Sequence, residues 1–138
     1  PPVAPPPLAL PGCSRDRFPD GRYRQIRTGW LEKLRKLRPH PLLEINPATA
    51  QKFGINEGDE VVIETKYGRI IQMAHLTDGI DPRVLCAAHG WWFPEGKPET
   101  QYDWEKSNFN MLTSTGNLGR EYGTPNLKAL PCRISRKT

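Results

Sequence analysis

A short polar segment late in the chain carries most of the side chains that could recognise a polar ligand. This polar segment, residues 107–114 (SNFNMLTS), has five hydrogen-bonding side chains: Ser107, Asn108, Asn110, Thr113 and Ser114. An amide side chain donates and accepts at the same time, which is what the edge of a heterocyclic ring requires. Turn formation alone would explain some of these residue types. The pattern predicts a loop or short helix, with ligand recognition as one interpretation and turn chemistry as the other.

A second polar region, residues 13–27, is dense in arginine. A guanidinium group forms paired hydrogen bonds with phosphate oxygens, so this region is a candidate phosphate contact. The alternative is a solvated surface loop. The net charge of +5 agrees with an anionic partner, although a charge of this size is often only a solubility feature.

Several other chemistries have no support in the sequence. It contains neither a glycine-rich phosphate loop ending in Gly-Lys-Ser or Thr nor a Gly-x-Ser-x-Gly elbow, so nucleotide hydrolysis and hydrolase triads are unsupported. Cys86 and His89 would point to opposite faces of a strand, which argues against zinc. Three cysteines at irregular spacings favour reduced thiols over a disulfide scaffold. No apolar run approaches the roughly 20 residues of a membrane span.

The middle of the chain contains the elements that would position the polar groups. Asn46 is suited to cap a helix over residues 47–53, in which Pro47 fits the first helical position, and Gly54 ends the helix. The residue pattern at 40–45 indicates a strand immediately before this helix. Two runs after the helix, VVIET and RIIQMAHL, are separated by a Lys-Tyr-Gly turn and predict a β-hairpin. The predicted unit is therefore strand, short helix and hairpin.

Further short strands are predicted on both sides of this unit, at residues 8–10, 83–89 and 129–135. Residues 1–7 predict a disordered, proline-rich lead-in. The 15 prolines and 12 glycines favour short strands joined by turns, so the fold is expected to be mainly β. A chain of 138 residues with 36% hydrophobic content suits one small domain.

An ordered series of motifs runs through residues 39–95 and continues in residues 107–113. The motifs occur in this order: a proline, a β-strand pattern, Asn-Pro, a small helix, Gly-Ile, Gly-Asp, a hydrophobic strand and a glycine. Gly-Trp and Ser-Asn-x-Asn-x-Leu-Thr then follow in order. Together these motifs resemble the C-terminal molybdopterin-dinucleotide-binding domain of the dimethyl-sulfoxide-reductase superfamily of molybdenum and tungsten oxidoreductases.

The resemblance implies a fold, a cofactor and partners. The fold would be a six-stranded double-psi β-barrel with short helices, the aspartate-decarboxylase-like barrel, over residues 8–138. The cofactor would be bis-molybdopterin guanine dinucleotide, with molybdenum or tungsten held mainly by other domains. The partners would be the remaining domains or subunits of a parent anaerobic oxidoreductase, of the formate dehydrogenase or thiosulfate or polysulfide reductase type. By itself the chain would not be catalytic, and no nucleic acid or membrane partner is implied.

The resemblance also implies cofactor-binding residues in three places along the chain. They are Ser14 and Arg15 after the first strand, Gly90 and Trp91 after a later strand, and Ser107, Asn108 and Asn110 in the polar segment. It implies no catalytic residue and no metal ligand in this chain.

Two other functions stay compatible with the residues. A double-psi barrel can act as an adaptor domain that binds a protein partner on an ATPase. The polar segment counts against that role, because a peptide-binding surface does not need it. A basic domain can also bind nucleic acid, which steep salt dependence would reveal.

Overall fold

The computed structural model describes residues 8–10, 36, 39–89, 91, 93, 96–114, 116, 118–123 and 130–138. The predicted lead-in, residues 1–7, lies outside the described residues. In chain order the strands and the α-helix are β1 (Leu8–Leu10), β2 (Leu42–Ile45), α1 (Pro47–Phe53), β3 (Glu60–Glu64), β4 (Arg69–Leu76), β5 (Cys86–Ala87) and β6 (Leu130–Arg136). Two 3-10 helices, Pro98–Lys106 and Phe109–Leu112, lie between β5 and β6. In this part of the chain, the strands form one sheet in the order β1-β6-β3-β4-β2-β5.

Helix α1 begins and ends as its sequence predicts. The Asn46 side chain accepts a hydrogen bond from the Ala48 N–H at 3.0 Å, which satisfies a donor of the first turn. Gly54 adopts φ 64°, and its N–H donates to the carbonyls of the last turn. The amide nitrogen of Asn46 also donates to the Ile80 carbonyl at 2.9 Å. The same residue therefore caps the helix and ties it to a distant turn.

The predicted hairpin is formed by β3 and β4. These strands pair antiparallel, with Ile63 opposite Ile70 and Val61 opposite Gln72. A side chain at Gly68, in the turn, would have its Cβ only 2.3 Å from the Met111 carbonyl oxygen. Glycine is therefore required at this position, because the second 3-10 helix packs directly against the turn.

Strand β4 also pairs parallel with β2, which places α1 and β3 in the connection between two neighbouring strands. On its other side, β3 pairs antiparallel with β6. The side chains of the strands alternate between the core and the surface, as in the pattern of buried and exposed residues along β6. The buried core includes Leu43, Ile45, Val61, Ile63, Ile70, Leu85, Phe109, Leu112 and Ile134.

The structure confirms the mainly β class and the strand, helix and hairpin unit. The prediction of a strand over residues 83–89 is wrong in extent, since β5 contains only Cys86–Ala87. Its partner β2 pairs with it through Leu43 and Glu44, and the Leu42 carbonyl accepts one further bond from the Ala88 N–H at 3.1 Å. Beyond that pairing, both backbone groups of Ala88 bond to the Gln72 side chain. After β5 the chain is thus held by one backbone bond to β2 and by the Gln72 side chain, where a longer strand was expected.

The first 3-10 helix, Pro98–Lys106, was not predicted, and its backbone has an unusual course. Three consecutive residues, Gln101, Tyr102 and Asp103, have φ between 50° and 58°. This left-handed region is unfavourable for residues other than glycine, so surrounding contacts must maintain it. One such contact is the hydrogen bond from the Phe93 N–H to the Tyr102 carbonyl, at 3.0 Å.

The cysteines differ in state. Cys132 is a buried thiol, and burial raises its pKa to about 12. Cys86 is part of a disulfide, so the prediction of reduced thiols is wrong for this residue. No helix in the described ranges has the length and apolarity needed to cross a membrane.

Candidate functional site

The polar segment is anchored by its apolar residues and presents its amides outward. Phe109 and Leu112 are fully buried in the core. Asn108, between two buried residues, is partly exposed, and Asn110 is exposed. The sequence pattern Ser-Asn-Phe-Asn therefore alternates between the interior and the surface. The two amide side chains lie on the solvent side of a segment that the core holds in place.

Asn108 also shapes the backbone of this segment. Its side-chain oxygen accepts a hydrogen bond from the Asn110 N–H at 3.0 Å, so it caps the second 3-10 helix. The carbonyl of Asn110 accepts from both the N–H and the hydroxyl of Thr113, at 3.2 and 3.0 Å. The turn chemistry expected from the sequence and an outward-facing amide pair are therefore both present.

Ser107 is the one predicted site residue of this segment that is fully enclosed. It has 0% exposure, and its hydroxyl has no hydrogen-bond partner within the described ranges. A buried hydroxyl without a partner costs on the order of 1–3 kcal/mol. Its backbone carbonyl, in contrast, accepts a hydrogen bond from Gln72 at 3.2 Å.

The end of β5 lies against this segment. The ring of His89 packs edge-on against that of Phe109, with 6.3 Å between ring centroids. Trp91, the next described residue of this stretch, is 2% exposed and packs as an interior residue. His89, which follows β5, therefore lies beside the polar segment. Gly90, Ser14 and Arg15 lie outside the described residues.

Gln72 is the residue of this region that sequence reasoning missed. It projects from β4 and is 1% exposed. Its amide nitrogen donates to the carbonyls of Ala88 and Ser107, at 2.9 and 3.2 Å. The signal available in the sequence was a polar residue in the core-facing row of the strand RIIQMAHL, where alternation places it with Ile70 and Ala74.

A second tether holds the far end of the polar segment. The hydroxyl of Thr65, between β3 and β4, donates to the Leu112 carbonyl at 2.9 Å. Together with the close approach of Met111 to Gly68, this bond fixes the second 3-10 helix against the hairpin turn.

A cavity of about 610 Å³ adjoins the region from the side of the first 3-10 helix. Its lining includes Gln72, Met73, Phe93, Gly96, Asp103 and Lys106. Lys106 and Asp103 form an ion pair at 2.8 Å, and the hydrogen bond from Lys106 lowers the pKa of Asp103. The two opposite charges of this ion pair therefore compensate each other. In the described part of the chain, no group of three or more His, Cys, Asp or Glu side chains could hold a metal ion.

Comparison with known proteins identifies the family. The model of the molydopterin dinucleotide binding domain matches residues 19–131, well over half of the chain. The dopamine dehydroxylase of Eggerthella lenta is 39% identical over 104 residues, which cover 75% of this chain and 10% of that protein. The acetylene hydratase of Syntrophotalea acetylenica is 36% identical over 102 residues, 69% of this chain and 14% of that protein.

Among solved structures, acetylene hydratase from Pelobacter acetylenicus superimposes with a TM-score of 0.77 at 28% identity. The match covers 95% of this chain and 18% of that one. The chain belongs to the molybdopterin-dinucleotide-binding domain family, and it spans about a tenth of the length of the first curated relatives it matches. Its family role is binding of a molybdopterin-type cofactor in molybdoenzymes, as the resemblance implied.

Proposed function

We propose that this domain binds molybdopterin guanine dinucleotide through the amide side chains of Asn108 and Asn110. The cofactor would be the bis form, with molybdenum or tungsten. The domain would act as one part of a larger oxidoreductase or related molybdoenzyme. The other domains or subunits of that enzyme would provide most of the contacts to the metal. The observation that carries this proposal is the outward-facing amide pair on a segment fixed by a buried phenylalanine and leucine.

The residues present fit such a cofactor. A guanine or pterin edge offers adjacent donors and acceptors, and a side-chain amide pairs with both. Asn110 is exposed, and the hydrogen bonds it makes within the described ranges use its backbone. The hydroxyl of Ser107, for which the described residues offer no hydrogen-bond partner, lies directly beside this pair in the chain. A ligand or a further domain seated here would cover the exposed amide of Asn110.

The other predicted contacts are proposed with smaller roles. Gly90 would let the backbone approach the cofactor closely, and Trp91 would support the site from the interior. Ser14 and Arg15 would add attraction to the pyrophosphate, which is charge-dependent and less selective. When bound, the metal of the cofactor supplies the reaction chemistry, and the residues of this chain hold and orient the organic part. We therefore expect no catalysis by the domain alone.

The substrate of the whole protein is not a property of this domain. Relatives that carry it are named dopamine dehydroxylase, acetylene hydratase and tetrathionate reductase. Such different reactions fit a domain that binds a shared cofactor, and they do not favour an adaptor role. We further propose that the sheet closes into a six-stranded double-psi β-barrel. The parallel pairing of β2 with β4 across α1 supports this closure.

The test measures cofactor retention by the assembled enzyme that contains this domain. The double variant Asn108→Ala with Asn110→Ala should retain roughly tenfold less pterin or lower, since a lost partner for a buried polar group costs on the order of 1–3 kcal/mol. Asn56→Ala is the matched control, because Asn56 is an exposed asparagine in a turn before β3. Metal and pterin contents are measured for each purified protein, together with thermal stability. Unchanged contents in the double variant would refute the assignment.

A further inference from the structure

Gln72 occupies a position where an apolar residue would be expected. Along β4, Ile70, Gln72 and Ala74 share the face that points into the core, and each is buried. A side-chain amide removed from water is costly unless its hydrogen bonds are made. A residue of similar volume without polar atoms, such as methionine, would fill the same space at no such cost.

The hydrogen bonds of Gln72 connect two separate segments of the chain. With Ala88 it forms a complete pair, because its nitrogen donates to the Ala88 carbonyl and its oxygen accepts from the Ala88 N–H, both at 2.9 Å. The same nitrogen donates to the Ser107 carbonyl at 3.2 Å. The Ala88 N–H also donates to the Leu42 carbonyl of β2 at 3.1 Å, so the Gln72 side chain adds to this last strand bond at the end of β5 and holds the start of the polar segment beside it.

The polar segment has few other attachments at this end. The Ser107 and Asn108 N–H groups both bond to the Trp104 carbonyl, within the same stretch of chain. The bond from Thr65 holds the opposite end, at Leu112. Within the described ranges, Gln72 is therefore the side chain that joins the Asn108 end of the segment to the sheet by hydrogen bonds.

We propose that Gln72 is a positioning residue for the cofactor site. By fixing the Ser107 carbonyl relative to the end of β5, it sets where Asn108 and Asn110 present their amides. It makes no contact with the cofactor itself. This inference rests on the proposed function. It adds a buried residue that fixes the position of the two asparagines.

The experiment compares Gln72→Met with the unchanged protein and with Thr49→Val. Thr49 is a matched control, since it is 2% exposed and its hydroxyl bonds to the Pro82 carbonyl, on different elements. Two quantities are measured: amide hydrogen exchange in the cofactor-free domain, and pterin retained by the assembled enzyme. Gln72→Met should speed exchange at Ala88 and residues 107–111 at least several-fold and lower cofactor affinity by roughly tenfold. Thr49→Val should change neither, although it lowers thermal stability.

The outcomes separate this inference from the proposed function. If exchange and cofactor retention in Gln72→Met match those of Thr49→Val, Gln72 is not a positioning residue. If Asn108→Ala and Asn110→Ala reduce retention while Gln72→Met does not, the proposed function stands and this inference falls. If Gln72→Met speeds exchange and the asparagine variants leave retention unchanged, both are overturned. Should Gln72→Met fail to fold, Gln72→Asn replaces it, because its shorter amide cannot bridge both segments.

Discussion

The hairpin unit, residues 42–76, and the polar segment, residues 107–114, are held in place in different ways. In the hairpin unit, local bonds determine the turns: Asn46 bonds to Ala48 two residues away, and Asp59 to Asn56 three residues away. The polar segment is fixed to the sheet by bonds from residues 35 and 47 positions away in the chain. A region whose geometry depends on distant partners is easily altered by changes elsewhere, and it is this region that carries the proposed cofactor contacts.

The two regions nevertheless share one core, and the largest expected effect comes from a cavity in it. Ile70→Ala removes a fully buried side chain of β4 that packs in the same core as Phe109 and Leu112. We expect a loss of about 2–5 kcal/mol in the free energy of unfolding, measured by urea denaturation. Ile71→Ala, on the opposite face of the strand and only partly buried, should cost clearly less. Equal losses would contradict the assignment of the core face.

A second substitution acts at the contact between the two regions. Gly68→Ala places a Cβ where the Met111 carbonyl oxygen now lies, 2.3 Å away, so the backbone must move. The expected loss is about 1–3 kcal/mol, as for other overpacked sites. Gly116→Ala is the control, since a Cβ there would meet the Ser114 hydroxyl oxygen at 3.3 Å as its nearest neighbour. Thermal denaturation of both variants decides the matter, and a tolerated Gly68→Ala would show that the two regions pack less tightly.

The hairpin unit should respond locally when its helix cap is removed. Asn46→Ala deletes the capping acceptor for the Ala48 N–H and the bond to the Ile80 carbonyl, and should cost about 1 kcal/mol. Asn46→Asp keeps the acceptor and loses only the donated bond, so its loss should be smaller. Hydrogen exchange should rise in α1 and stay unchanged in the polar segment. A rise in both would show that the two regions are coupled through the helix.

The smallest expected effect is a dependence of stability on pH at the turn before β3. The hydrogen bond with His75, followed by that from the Leu76 N–H, lowers the pKa of Glu57 in the folded protein. A lowered carboxyl pKa means that the stabilisation is present above the ordinary pKa and is lost as the pH falls through the folded value. Both side chains are largely exposed, so the contribution is only about a few tenths of a kcal/mol. Glu57→Gln should remove this part of the acid dependence in denaturation measured between pH 3 and pH 7, chosen as roughly the range of carboxyl titration.

The polar segment shows how far sequence reasoning reaches for the candidate site. Its residue types indicated both turn formation and ligand recognition, and the structure contains a turn with outward amides. The burial of Ser107 was not foreseen, because its surroundings include Gln72, which lies 35 positions away in the chain and bonds to its backbone carbonyl. The predicted contacts at Ser14, Arg15, Gly90, Trp91, Ser107, Asn108 and Asn110 stay predictions.

The sequence by itself determined the features that depend on neighbours in the chain. These features include the helix cap at Asn46, the end of the helix at Gly54 and the alternation along β3 and β4. Each depends on residues close together in the chain, and the motifs that carry the family resemblance are local in the same way. Only the tertiary structure decided that β5 ends after two residues, that Gly68 must lack a side chain and that Gln72 joins β5 to the polar segment. Each of these depends on a contact between residues far apart in sequence. Local periodicity contains no information about which distant residue will pack or bond at a given position.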